Sequence, residues 1–94
     1  MTTYHLEILT PLGKVFAEEV DHTLVPAQDG FVGVLANHRA FLTSSAGGRL
    51  EARLASGDTR KFKVGPGFFQ IAKNDACFLA ESVTTQKGDR SLDD

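Results

Sequence analysis

Turn signals recur along this chain roughly every 8 to 12 residues, and no stretch before Thr84 sustains the 3.6-residue apolar period of a helix. The signals are Pro11 to Gly13, Pro26 to Gly30, Ala36 to Arg39, Ser44 to Gly48, Ser56 to Asp58, Gly65 to Gly67 and Lys73 to Asp75. Each brings glycine, proline, asparagine or aspartate, the residues that tolerate positive φ, pre-set a bend or bond back to their own backbone. Between them lie short runs that alternate apolar and polar residues. Such a chain cannot build helices of ordinary length, and the spacing predicts an all-β sandwich of short antiparallel strands.

The runs can be placed one by one. Tyr4 to Thr10 puts Tyr4, Leu6 and Ile8 on one face and His5, Glu7 and Leu9 on the other, so His5 is expected to be solvated. Lys14 to Ala17 returns as a second short strand, and Glu18 to Asp21 reads as a solvated acidic edge. His22 to Ala27 follows, with Leu24 its expected core residue and Pro26 on an edge. Gly33 interrupts the apolar run Phe31 to Leu35, which suggests a bulge or a close backbone approach. Ser44 to Gly48 reads as a flexible connection. Arg49 to Ala55 and Thr59 to Val64 form a hairpin with Leu50, Ala52, Leu54, Phe62 and Val64 on its apolar face. Phe68 to Ala72 and Ala76 to Val83 form the last hairpin. Phe68, Phe69, Ile71, Phe78 and Leu79 are more apolar surface than one face absorbs, so some are expected to lie between two sheets or against a partner.

Ninety-four residues suffice for one domain, whose core would bury about 60 to 65% of the unfolded surface and leave a stability of about 5 to 10 kcal/mol. The net charge of -2 and the scattered Lys and Arg residues exclude recruitment of nucleic acid. Cys77, the single cysteine, has no partner for an internal disulfide, and its apolar surroundings predict a buried thiol. The opening residues carry no secretory pattern, and no apolar run reaches membrane-spanning length. A soluble domain is expected, in contact with a membrane only through a partner.

Chemistry is sparse. His5, His22 and His38 fall at three separate points with no metal-ligand spacing, and no nucleophile–base or nucleotide-binding motif is present. Gly65-Pro66-Gly67 lacks the Lys-Ser/Thr and the helix of a phosphate loop, so it reads as a turn. No catalytic residue, metal site or cofactor is expected, and an interaction module fits best. On the residues alone, an adaptor that accepts a peptide strand and a ligand-binding sandwich remain alternatives. The second lacks aromatic material, with no tryptophan and one tyrosine.

Val25, Pro26, Asp29, Gly30, Gly33, Leu35, His38, Phe41, Leu42 and Thr43 together form a pattern that resembles the epsilon subunit of F-type ATP synthase. Tyr4 to Phe16, Val64 to Ile71 and Cys77 to Glu81 resemble the same family in register, so the likeness covers roughly the first 85 residues. The resemblance implies a flattened β-sandwich over residues 1–84, a polar tail over 85–94, and a non-catalytic subunit that fastens the gamma subunit to the c-ring. It places Thr10, His38, Leu42 and Thr43 toward gamma, and Gln28, Asp29 and Phe31 toward the c-ring loops, where Asp29 suits a c-loop arginine. It also implies a site peripheral to the energy-coupling membrane on the ATP-forming side, in bacteria the cytoplasmic face.

Two departures stand out. Relatives usually carry Pro-Gly-His-Ala-Pro where this chain has Ala36-Asn37-His38-Arg39-Ala40, which predicts a less rigid turn. The family commonly continues into a C-terminal helical hairpin, which inhibits hydrolysis and in some members binds ATP. This sequence stops at Asp94, a naturally short form or a cut at the domain boundary, although Ser91 and Asp94 look like the start of a helix. No nucleotide binding by this chain is expected.

Overall fold

One long strand joins the two halves of a single continuous sheet. The computed structural model describes residues 2–85, and β2 (Gly13–Ala27) runs as 15 unbroken residues. Its first half pairs antiparallel with β1 (Tyr4–Thr10), from Thr10↔Gly13 to Tyr4↔Val20. Its second half pairs with β3 (Gly30–Leu35) on one edge and with β5 (Gly48–Leu54) on the other. From β5 the ladder continues through β6 (Thr59–Val64) to the short β9 (Val83–Thr85). From β1 it continues through β8 (Asp75–Ala80) and β7 (Gly67–Ala72) to β4 (Phe41–Ser45). Side chains of both halves meet in one core, including Leu6, Ile8, Phe69, Ile71 and Phe78 from one and Leu50, Leu54, Phe62 and Val64 from the other. The all-β architecture is therefore as expected. One pair differs in direction: β1 and β8 run parallel, which the long excursion between them permits.

The acidic segment Glu18 to Asp21 is not a separate edge but the middle of β2. Here Val20 pairs with Leu54 and His22 with Arg53, so Asp21 is an extra residue, a β-bulge. The bulge reverses the alternation. Val20 and Asp21 are both buried, and beyond them Thr23 and Val25 face the core while Leu24 is only half-buried. A period-2 reading that counts through the bulge selects Leu24, the wrong face.

Three further expectations change. Ser44 and Ser45 belong to β4, where Ser45 is buried with its hydroxyl accepting the Gly47 amide (3.0 Å), and Gly48 opens β5. The run Ala76 to Val83 breaks at Glu81 and Ser82, where the chain leaves β8 to reach β9. Amide bonds from Gly65 to Ser82 O (2.8 Å) and from Glu81 to Pro66 O (3.0 Å) fix that crossing. Gly33 pairs regularly with Leu24, with no bulge there. Its nearest side-chain neighbour is the His22 imidazole, which would lie 3.5 Å from an added Cβ, an ordinary contact. Pro26 is buried beyond the last pair that β2 makes with β5. Thr85 ends β9, and the rest of the expected tail, with Ser91 and Asp94, lies outside the described residues.

Candidate interaction surface

Alternation along β7 divides two adjacent phenylalanines. Phe69 and Ile71 are buried, while Phe68 and Gln70 point outward. Strand register then aligns the outward side chains into two rows across the β4-β7-β8-β1 sheet. One row is Ser44, Phe68, Leu79 and Leu9, and the other is Leu42, Gln70, Cys77 and Glu7. Leu42 is 68% exposed, Phe68 56% and Leu79 49%. Three large apolar side chains on three neighbouring strands thus face solvent together, a larger patch than isolated surface leucines produce. Leu9, Thr10, Ser44, Pro66, Phe68 and Leu79 line a shallow groove at one end of this face.

The same registers set the two ends of the sheet. At one end Thr10 shapes the β1–β2 turn, its hydroxyl accepting the Leu12 amide (3.1 Å) and donating to Gly13 O (3.3 Å). The β2–β3 turn reaches this end too, because Gln28 Oε1 accepts a hydrogen bond from Ser44 Oγ at 2.7 Å. Asp29 is exposed at the tip of that turn, and Phe31 follows it with 58% exposure. His38 lies at the opposite end. Its ring packs edge-on against Phe41 with centroids 5.7 Å apart, and its Nδ1 lies 2.8 Å from Arg39 O.

Charge gathers beside the apolar rows. His5, half-buried instead of freely solvated, sits between Glu7 (Nε2 to Oε2, 3.2 Å) and Glu19 (Nδ1 to Oε2, 3.3 Å), and Lys14 Nζ reaches the same Glu7 oxygen at 3.2 Å. The bond to Glu7 raises the His5 pKa, helped by Glu19, and His5 and Lys14 together lower that of Glu7. Cys77 is half-buried on this outer face, not enclosed in the core. Partial burial, with Glu7 and Asp75 nearby, pushes its thiol pKa up, which disfavours the reactive thiolate. Among the described residues no three His, Cys, Asp or Glu side chains are arranged to hold a metal.

The structure brings Thr10, Gln28 and Asp29 to one end and leaves His38 at the other, with Leu42 on the outer face nearer His38. Thr43 pairs with buried Phe69, so it faces away from Leu42. Phe68 and Leu79 complete the outward apolar row. The sequence signalled a surplus of apolar side chains in this hairpin, but only the register shows which two remain uncovered.

The domain has known relatives. The model of the ATP synthase delta/epsilon chain β-sandwich domain matches residues 3–86. The chain belongs to this family. An ATP synthase epsilon chain from Nitratidesulfovibrio vulgaris is 41% identical over 79 residues, spanning 84% of this chain and 58% of that protein. One from Sulfurihydrogenibium is 34% identical over 80 residues, spanning 85% and 60%. The sodium-ion-specific epsilon chain of Propionigenium modestum is 32% identical over 87 residues, spanning 93% and 63%. The chain thus covers about 60% of the length of these epsilon relatives. A chain of the Euglena gracilis mitochondrial ATP synthase superposes with a TM-score of 0.84 at 18% identity, covering 90% of this chain and 54% of that one. One from the Tetrahymena thermophila central stalk and c-ring superposes at 0.73 and 15%, covering 94% and 70%. At these identities the likeness is one of fold.

Proposed function

We propose that this domain is a non-catalytic part of the central stalk of an F-type ATP synthase, with the β4-β7-β8-β1 face docked on the gamma subunit and the Gln28 to Phe31 turn directed at the c-ring loops. The observation that carries the reading is the outward apolar patch of Leu42, Phe68 and Leu79, in a family whose relatives are named ATP synthase epsilon chains. Burying such a patch against a partner favours association in proportion to its apolar area. Because it spans three strands instead of following one edge, it suits a packed face better than strand addition to a peptide. Thr10 and His38 flank the patch at its two ends, and Thr43 reaches gamma only where the partner wraps around the β4 edge. Asp29 supplies a carboxylate for a c-loop cation. Fastened at both surfaces, the domain couples ring rotation to gamma, peripheral to the membrane on the ATP-forming side.

Co-purification with a cognate gamma subunit tests this. Wild type is expected to form a one-to-one complex that Leu42→Asp and Phe68→Asp abolish and His38→Ala weakens. A folded domain that binds no cognate gamma, or binding untouched by both aspartate variants, would overturn it.

A further inference from the structure

The turn that carries His38 is joined to the β7–β8 turn by a reciprocal pair of asparagines. Asn37 N donates to Asn74 Oδ1 at 2.6 Å, and Asn74 Nδ2 donates back to Asn37 Oδ1 at 3.0 Å. Both residues adopt left-handed backbone, with φ of 65° and 62°, a conformation asparagine accepts more readily than other side-chain-bearing residues. The backbone of Asn74 makes a third tie, its carbonyl accepting the His5 amide at 3.0 Å. Asn74 therefore holds the start of β1, the β3–β4 turn and the β7–β8 turn at one point. The β3–β4 turn has little else: its own backbone bond runs from His38 N to Leu35 O at 3.2 Å.

We propose that Asn37 and Asn74 act as positioning residues that weld the His38 turn to the hairpin bearing Phe68 and Leu79, so that His38 and the apolar rows present one preformed surface. The proposal rests on the reading of that surface as the gamma-binding face. Its physical value lies in preorganisation. Ordering a loop on binding consumes part of the interaction energy, and a turn already fixed does not incur that cost. Fixing it from the β7–β8 hairpin also sets the separation between His38 and the outward row, which neither strand register nor the β3–β4 turn does alone.

Glycine is the informative replacement at both positions, since it removes the side-chain bonds without straining a left-handed backbone. In Asn74→Gly the Asn37 amide is expected to exchange with solvent about tenfold faster or more, and the His38 ring resonances, shifted by the Phe41 edge, should move toward random-coil values. Gamma affinity should fall by roughly three- to tenfold, through loss of preorganisation alone. Asn37→Gly keeps its backbone amide bond to Asn74 Oδ1 and loses only the bond from Asn74 Nδ2, so it should give a smaller ring shift and affinity loss, and the double variant should match Asn74→Gly, as expected of a coupled pair. Unchanged amide exchange and His38 resonances in Asn74→Gly would overturn the clip itself. Altered resonances with unaltered gamma affinity would overturn its role in docking, whereas loss of gamma binding in wild type would count against the gamma-face reading and leave the exchange result standing.

Discussion

Arg53 Nε donates to Asp21 Oδ1 at 2.6 Å, and Asp21 is the extra residue of the bulge in β2. The carboxylate side chain is only 6% exposed while the guanidinium side chain is 50% exposed. Removing the arginine leaves a buried charge without its partner, so Arg53→Ala is expected to destabilise the domain by about 1–3 kcal/mol. Urea unfolding followed by fluorescence or circular dichroism would read this. In a double-mutant cycle with Asp21→Ala, most of the loss should be shared between the two sites.

Tyr4 is the one tyrosine, buried, with its hydroxyl donating to Thr23 Oγ1 (2.6 Å) or Val34 O (3.0 Å). Burial pushes its pKa from 10.0 to about 12. A folded-state pKa above the unfolded one gives stability that is whole below pH 10 and fades as pH rises toward 12, by up to about 3 kcal/mol. Absorbance near 295 nm, read by this single phenol, should show no native-state titration until about pH 12, unless the domain unfolds first. Tyr4→Phe should cost about 1–2 kcal/mol at neutral pH, because Thr23 and Val34 O lose a buried partner.

The His5 cluster gives a pH window of its own. The raised His5 pKa contributes stability that is whole below its unfolded value of 6.5 and lost as pH climbs through the folded value. The lowered Glu7 pKa contributes stability that is present above 4.5 and lost as pH falls through its folded value. The two overlap between about pH 4.5 and 6.5, where the cluster contributes most. Glu7→Gln should bring the His5 titration down, as an NMR titration of the ring would record. An unchanged His5 midpoint would show that Glu7 does not raise it.

Phe68 and Phe69 are neighbours with opposite prospects. Phe69→Ala empties a fully buried position and should cost about 3–5 kcal/mol, enough to threaten folding in a domain of this size. Phe68→Ala, on the 56% exposed face, should cost under about 1 kcal/mol of stability. Paired chemical denaturation curves would separate them.

Gly67 opens β7 opposite Ala80, where an added Cβ would fall 1.7 Å from Leu79 O. The backbones cannot part without breaking the β7–β8 ladder, so Gly67→Ala is expected to lose several kcal/mol or fail to fold. Gly33→Ala is the contrast, with only the His22 ring at 3.5 Å and no left-handed φ, and should change the thermal midpoint little.

Much of this was legible in the residues. Turn chemistry placed the breaks after β1, β5 and β7, and alternation picked out Leu50, Ala52, Leu54, Phe62 and Val64 as core. The family pattern across Val25 to Thr43 is borne out by the match over residues 3–86. Failures cluster where a local rule is overridden from a distance. The bulge at Asp21 reverses the inward face of β2, and nothing in residues 18 to 21 announces it, because an extra residue is defined only against the partner strand β5. The break at Glu81 and Ser82 is likewise set by Gly65 and Pro66, which lie far from it along the chain.

The sequence by itself determined the all-β class, most of the turn positions and the family, because these depend on local conformational preference and on residue types in order. Tertiary structure alone decided that β1 lies parallel to β8, that Phe68 and Leu79 join Leu42 on one open face, and that Asn74 reaches Asn37. Each of these is a pairing between segments distant in the chain. Its register follows from packing the whole core, so no window of neighbouring residues contains it.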